Sequence, residues 1–111
     1  FKEDWLEITP EIETESGDIF ITKTTWSAFY NTQLDEELKK RGITGVVMAG
    51  ISTSIGVEGT ARNASERGYN VTFASDAMTD MFMEAHERSM KYIFPRMGEI
   101  DVTHKIIEQL G

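Results

Sequence analysis

The sequence contains no cysteine. That excludes disulfides, thiolate metal sites and a thiol nucleophile together, and it leaves the redox compartment unread. Positive charge is also short: 11 Lys and Arg face 19 Asp and Glu, for a formal net charge of -8. The cations are interleaved with acids, whereas a nucleic-acid partner needs them clustered, so nucleic acid is excluded as a partner. Long apolar runs are missing, so no membrane span fits and no membrane partner is expected. The opening FKEDWLEITP lacks the basic segment and apolar core of a signal peptide, and a cytoplasmic location is the expectation. Neither repeats nor low-complexity tracts occur. The first residue is Phe1 rather than Met, which predicts a fragment, a processed product or a trimmed chain.

What is present is ordinary globular material, 40% hydrophobic and 27% charged over 111 residues, enough for a single domain spanning residues 1–111. The stretch that organises the rest is 44–65. Val46, Val47, Met48 and Ala49 form an apolar run that breaks into Gly50 and small hydroxyl residues, and helical spacing resumes at Val57, Ala61 and Ala64. A buried strand, a tight turn and a helix follow from that pattern. The turn aims free backbone N–H groups of the helix start past the strand's end, a place for an anion or a polarised carbonyl. Gly56 stands where an attacking side chain could have been.

Around this unit the periodicity predicts further elements. Residues 1–17 read as an acidic surface segment pinned by Trp5, and the β-branched run DIFIT (18–22) as a first strand ending at Lys23. A helix is expected over 32–41, capped by Thr32 with Asp35 as a weaker capping-box partner and closed by Gly42. Leu34 and Leu38 would be its buried stripe, and Asp35–Lys39, Glu36–Lys40 and Glu37–Arg41 its i,i+4 pairs. A second strand is expected at 45–49, a helix at 54–67 and a third strand at 69–75, from which Asp76 leads into a loop. Thr79 or Asp80 would cap a long helix to Phe94, with Phe82, Met83, His86, Met90 and Ile93 on one face and Pro95 stopping it. A short strand near 99–102 and a helix over 103–110, with Ile106, Ile107 and Leu110 inward, complete the chain.

Alternating strands and helices with short loops imply an α/β fold, a three-layer α/β/α arrangement with a parallel sheet covered on both faces. Ligands in such folds bind beyond the carboxyl ends of the strands. Lys23, the 50–56 turn and Asp76 all fall at such ends.

Two motifs now resemble a known family. GISTSIGVEGTARNASERGYNVTFASDAMTD is similar to the isochorismatase-like, or cysteine hydrolase, signature G-x-A-T-x-x-C-V-x-x-T-A-x-x-A-x-x-x-G-Y followed by a strand and Asp-Ala. Upstream, ITKTTWSAFYNTQLDEELKKRGI resembles that family's K-x-x-x-S-A-F-x-x-T-x-L-x-x-x-L-x-x-x-G-I. The resemblance implies a Rossmann-like parallel sheet and a hydrolase of small molecules without a cofactor. It puts the catalytic lysine at Lys23 and the nucleophilic cysteine's place at Gly56. It puts a backbone oxyanion hole at Ser52 and Gly56, beside a cis peptide between Ile51 and Ser52, with Trp26 and Phe29 flanking the pocket.

Two departures from the family pattern matter. Glycine at position 56 removes the thiol chemistry of nicotinamidases and carbamoyl hydrolases. The family's true isochorismatases also lack that cysteine and hydrolyse a vinyl ether by acid chemistry that depends on an aspartate. That aspartate belongs to a first strand of the pattern apolar-D-x-Q, which does not precede Trp5, and the nicotinamidase D-x-H metal segment is absent as well. The chain thus resembles the C-terminal two thirds of the family's domain, lacking its first strand. These residues alone are expected to be inactive, and the uncovered surface is expected to associate with the missing N-terminal segment or to form a homo-oligomer. The alternative is a non-catalytic binding or assembly module in which Gly56 is the relic of a lost nucleophile.

Other residues read more plainly. Ser52, Thr53 and Ser54 are caps rather than nucleophiles, since no His-plus-acid relay is placed to activate them. His86 reads as a core or rim histidine, and His104 stands apart from it, so no metal site is expected. Asp76 reads as a local cap, and Met78, Met81, Met83 and Met90 as packing or an interface.

Overall fold

The computed structural model of the chain describes residues 15–110. Three strands, β1 (Gly45–Ile51), β2 (Asn70–Thr79) and β3 (Gly98–Asp101), form one sheet in the order β1-β2-β3. Both pairings are parallel, with Val46 opposite Val71 and Phe73 opposite Ile100. Parallel neighbours need crossovers, and helices supply them. Helix α1 (Leu34–Lys40) precedes β1, and α2 (Glu58–Glu66) joins β1 to β2. From β2 the chain returns through α3 (Met83–Arg88), a π-helical segment (Ser89–Ile93) and a 3-10 turn (Phe94–Arg96), and α4 (Thr103–Leu110) follows β3.

The core lies between the sheet and α2. Val57, Ala61 and Ala64, at the predicted helical spacing, are buried against Val71, Phe73, Met78 and Phe94, with Val46 and Met48 of β1 packed on the same cluster. Ala74 alternates to the sheet's other face. It is buried there, as is Ile106 of α4, and α4 packs on β2. Helices therefore lie on both faces, the α/β architecture expected. The far face of β1 stays open, with Val47 and Ile51 exposed.

Several elements differ from expectation, each for a physical reason. Residues 18–22 form no strand: a ladder partner is lacking among the described residues, Phe20 is 62% exposed, and propensity without pairing does not hold a strand. Helix α1 starts after Gln33 with no side-chain cap. The Thr32 hydroxyl donates to the Ala28 carbonyl and accepts from Leu34 N, and Asp35 turns away to Tyr69 Oη at 2.6 Å and Lys39 at 3.1 Å. The Glu37–Arg41 pair forms too, at 3.6 Å, and Gly42 closes the helix at a φ of 68°.

Strand β2 runs past Asp76 to Thr79. Met48 pairs with Phe73 but Gly50 with Met78, so residues 74–77 bulge from the β1–β2 ladder, while Ala74 stays paired with Asp101 of β3. Asp76 uses that bulge to cap α4, accepting from Thr103 N at 2.8 Å and Thr103 Oγ1 at 2.6 Å. It is a cap, but for a helix distant in sequence. The long 79–94 helix is broken into its three short pieces, and Phe82 and Met83 at its start are 62% and 61% exposed rather than inward. In α4 only Ile106 is buried, and Ile107 and Leu110 face out. Trp5 lies outside the described residues.

Candidate active site

The end of β1 leads into a cis peptide between Ile51 and Ser52 and then into a π-helical turn, Thr53–Val57, that enters α2. The Ser52 carbonyl accepts from both Ile55 N at 3.2 Å and Val57 N at 3.1 Å, which draws the chain round tightly. Gly56 sits on the inner side of this turn. A side chain there would begin 3.4 Å from Lys23 Nζ and 3.7 Å from the carbonyl oxygens of Ile51 and Trp26. Lys23 and Gly56, distant in sequence, are thus brought face to face.

Lys23 is held in place by its own loop. Its ammonium donates to the carbonyls of Thr25 at 3.1 Å and Trp26 at 3.0 Å. An ammonium has three N–H donors, so one is left for the hollow beside it. The loop is in turn fastened to α2: Ala28 N donates to the Thr60 hydroxyl at 2.9 Å, and Gly59 lets the backbone of Trp26 lie close on the helix. The hollow has a volume of about 190 Å³, with Lys23, Gly56, Ala49, Ile51 and Thr60 in its wall. One cationic donor in a small, part-apolar hollow can hold an anionic or strongly polarised oxygen.

The other expected site residues divide. Ser52 supplies the carbonyl that shapes the turn, and its side chain does not line the hollow. Trp26 contributes its carbonyl, while the residue is 63% exposed and lines a separate shallow groove with Tyr30 and Asn63. Phe29 corrects the expectation of a pocket wall. It is buried in the core, its ring 5.9 Å from that of Tyr69 and under the Arg67 guanidinium, because Ala28 N and Phe29 N are tied inward by hydroxyls.

A polar cluster behind the turn was not visible as such in the sequence. Asp80 accepts from Ser54 N at 2.7 Å and from the Ser54 hydroxyl, and its second oxygen accepts from Phe82 N. Thr53 Oγ1 lies 2.7 Å from His86 Nδ1. These pairs are 26 and 33 residues apart, beyond any local pattern. The Thr53 hydroxyl is fully buried, so the His86 contact holds structure and does not arm a nucleophile. Among the described residues no group of three or more acidic or histidine side chains is placed to hold a metal.

The hydrogen bonds also set the acid response. The Ser54 hydroxyl and N–H hold the Asp80 carboxyl below the usual range, the Thr103 hydroxyl and N–H do the same for Asp76, and the Tyr69 hydroxyl, then Lys39, for Asp35. In the unfolded chain these carboxyls take up protons near their ordinary value, about 3.9, while the folded state still resists. Their stabilisation is therefore complete above that value and lost as the pH falls through the lower folded values. Thermal melts are expected to be insensitive to these groups at neutral pH and to fall as the pH drops below about 4. Asp80→Asn, which keeps an acceptor but cannot titrate, is expected to flatten that slope; an unchanged slope would remove Asp80 from the acid response.

A family model described as the isochorismatase domain matches residues 1–104. The chain is 46% identical over 107 residues to the isochorismatase family protein YwoC of Bacillus subtilis (strain 168), covering 96% of this chain and 57% of that protein. It is 31% identical over 103 residues to the isochorismatase of the same organism, covering 93% of this chain and 33% of that protein. An isochorismatase family structure from Burkholderia thailandensis superposes with a TM-score of 0.88 at 40% identity, over 91% of this chain and 53% of that one. The chain spans little more than half the length of the first relative and of that structure. Parallel sheet, lysine-facing turn and matched residues lead to one assignment: the chain belongs to the isochorismatase family of hydrolases.

Proposed function

We propose that this chain is the lysine-bearing part of an isochorismatase-family hydrolase that acts on a small molecule without a thiol. The observation that carries this reading is the contact between Lys23 Nζ and the place where a side chain on Gly56 would begin. With glycine there, the turn has no nucleophile to offer, and the chain has no cysteine elsewhere. What remains is electrostatic: the Lys23 ammonium, pinned by two carbonyls, and the backbone N–H groups of Ser52 and Gly56 as a cradle for negative charge. In vinyl-ether hydrolysis the reacting carbon itself develops positive charge, so such a site serves binding there: the Lys23 ammonium holds an anionic group of the substrate. A carboxylic acid protonates the vinyl carbon, water adds to the resulting oxocarbenium carbon, and the hemiketal collapses with loss of the alcohol. The acid belongs to a segment upstream of Phe1, and that segment, or a second copy of the chain, covers Val47 and Ile51 on the open face of β1.

The test is hydrolysis of isochorismate by the full-length protein. Lys23→Ala is expected to lower kcat/KM about 100-fold, the scale for losing one hydrogen bond to a charged group of the substrate. Unchanged activity would reject the role of Lys23. A second reading, a non-catalytic binding or assembly module, is favoured by the same glycine at position 56. An apolar-D-x-Q strand upstream of Phe1 would count against it, and the lack of one would favour it.

A further inference from the structure

The turn that faces Lys23 is gripped from behind by three tertiary contacts. While residue 56 turns to Lys23, residues 53 and 54 turn to the segment that begins α3: Thr53 Oγ1 to His86 Nδ1 at 2.7 Å, and Ser54 N and its hydroxyl to one oxygen of Asp80. One turn later the Ser89 hydroxyl donates to Glu58 Oε1 at 2.7 Å, and Arg62 holds the other oxygen of Glu58 at 3.1 Å. Resting on the reading of Lys23 and Gly56 as the reactive site, we propose that Asp80 and His86 are positioning residues, which fix the Thr53–Val57 turn so that position 56 faces the lysine.

A π-helical turn is a rare form that a chain keeps only where its surroundings hold it. At its entry the Ser52 carbonyl accepts from two N–H groups, and the outer N–H of Ser54 has Asp80 as its partner. Removing His86 strands the fully buried Thr53 hydroxyl, and removing Asp80 takes away the partner of the half-buried Ser54 N–H and hydroxyl, so the turn loses the contacts that hold its outer side. The lysine contact sits at van der Waals distance, where a displacement of about 1 Å is enough to cost catalysis. Neither Asp80 nor His86 lines the hollow, so their effect passes through the turn.

A reporter thiol tests this without a substrate. Gly56→Cys introduces a thiol into a chain that has none, next to Lys23 as the facing charge. The pH profile of its alkylation by iodoacetamide is expected to give a thiol pKa about one unit below the ordinary value near 8.5. Lys23→Met should return it to that value. Asp80→Ala and His86→Ala should each recover at least half of that shift, and Asp80→Asn and His86→Gln, which keep an acceptor, should restore the low value. A profile unmoved by both alanine variants but moved by Lys23→Met overturns the positioning role and leaves the lysine site standing. A profile indifferent to Lys23→Met removes the lysine site, and the positioning role with it. Should the thiol variant fail to fold, amide exchange decides: Asp80→Ala is expected to speed exchange at 54–57 at least tenfold relative to 61–64. Equal rates at 54–57 in wild type and variant would overturn the proposal.

Discussion

Gly98→Ala is expected to lose about 4 kcal/mol or more of stability, in the range reserved for substitutions that break a structural requirement. A Cβ on Gly98 would run into the carbonyl of Val71, its facing residue at the start of the β2–β3 ladder. Backbone cannot yield as the end of a flexible side chain can, so either β3 moves away or β2 bends. Conformation is not the reason, because Gly98 is absent from the glycines held at positive φ, which are Gly42, Gly50 and Gly68. The requirement is for space alone. Strand β3 is four residues long, and losing its first pair leaves Thr72, Phe73 and Ala74 to hold Glu99, Ile100 and Asp101 by themselves.

The damage should reach the site by a traceable route. The Ser75 hydroxyl donates to the Asp101 carbonyl at 3.2 Å, and Asp76 caps α4 from the same bulge, two elements that steady the strand just before Met78 and Asp80. Urea titration measures the loss, and amide exchange at 71–74 locates it. A variant within about 0.5 kcal/mol of wild type, the size of an ordinary surface effect, would show that β3 docks by another register.

How much of this was legible depended on whether the cause was local. Helix α2 could be read because Val57, Ala61 and Ala64 repeat at the helical period and all three face the sheet. The bounds of α4, 103–110, follow from its pattern too, but burial of Ile107 and Leu110 does not, since this short helix packs on β2 through Ile106. Residues 18–22 have strand composition without a strand partner among the described residues, and composition cannot reveal which neighbour pairs with a run. Lys23 and Gly56 were found through motif spacing. Their contact, and the hold of Asp80 and His86 on the same turn, are tertiary facts between residues dozens of positions apart. Gly98 carries no local signal at all, because its reason lies in the approach of another strand.

Phe94→Ala is expected to cost 3 to 5 kcal/mol, roughly the figure for deleting a buried aromatic ring. Phe94 and Phe73 are both fully buried, their ring centroids 3.9 Å apart and their planes inclined by only 7°. Truncation would forfeit the transfer energy of the ring and leave a void. It would also end the ring pairing, itself worth about 0.5 to 1.5 kcal/mol. A single domain has about 5 to 15 kcal/mol in all, so this one change removes a large share. Phe94→Leu keeps most of the volume and should cost about 1.5 kcal/mol or less if it repacks.

Position in the chain makes the pair more than a patch of core. Phe73 is on β2, and Phe94 opens the 3-10 turn that anchors the far end of the α3 segment before β3. The start of that segment carries Asp80 and His86. Releasing its end should loosen their hold on the Thr53–Val57 turn, so Phe94→Ala is expected to raise amide exchange at 54–57 as well as to lower the denaturation midpoint. If Phe94→Leu restores the midpoint but not the protection at 54–57, the coupling between core and turn runs through the shape of the stacked rings and not through the volume they fill.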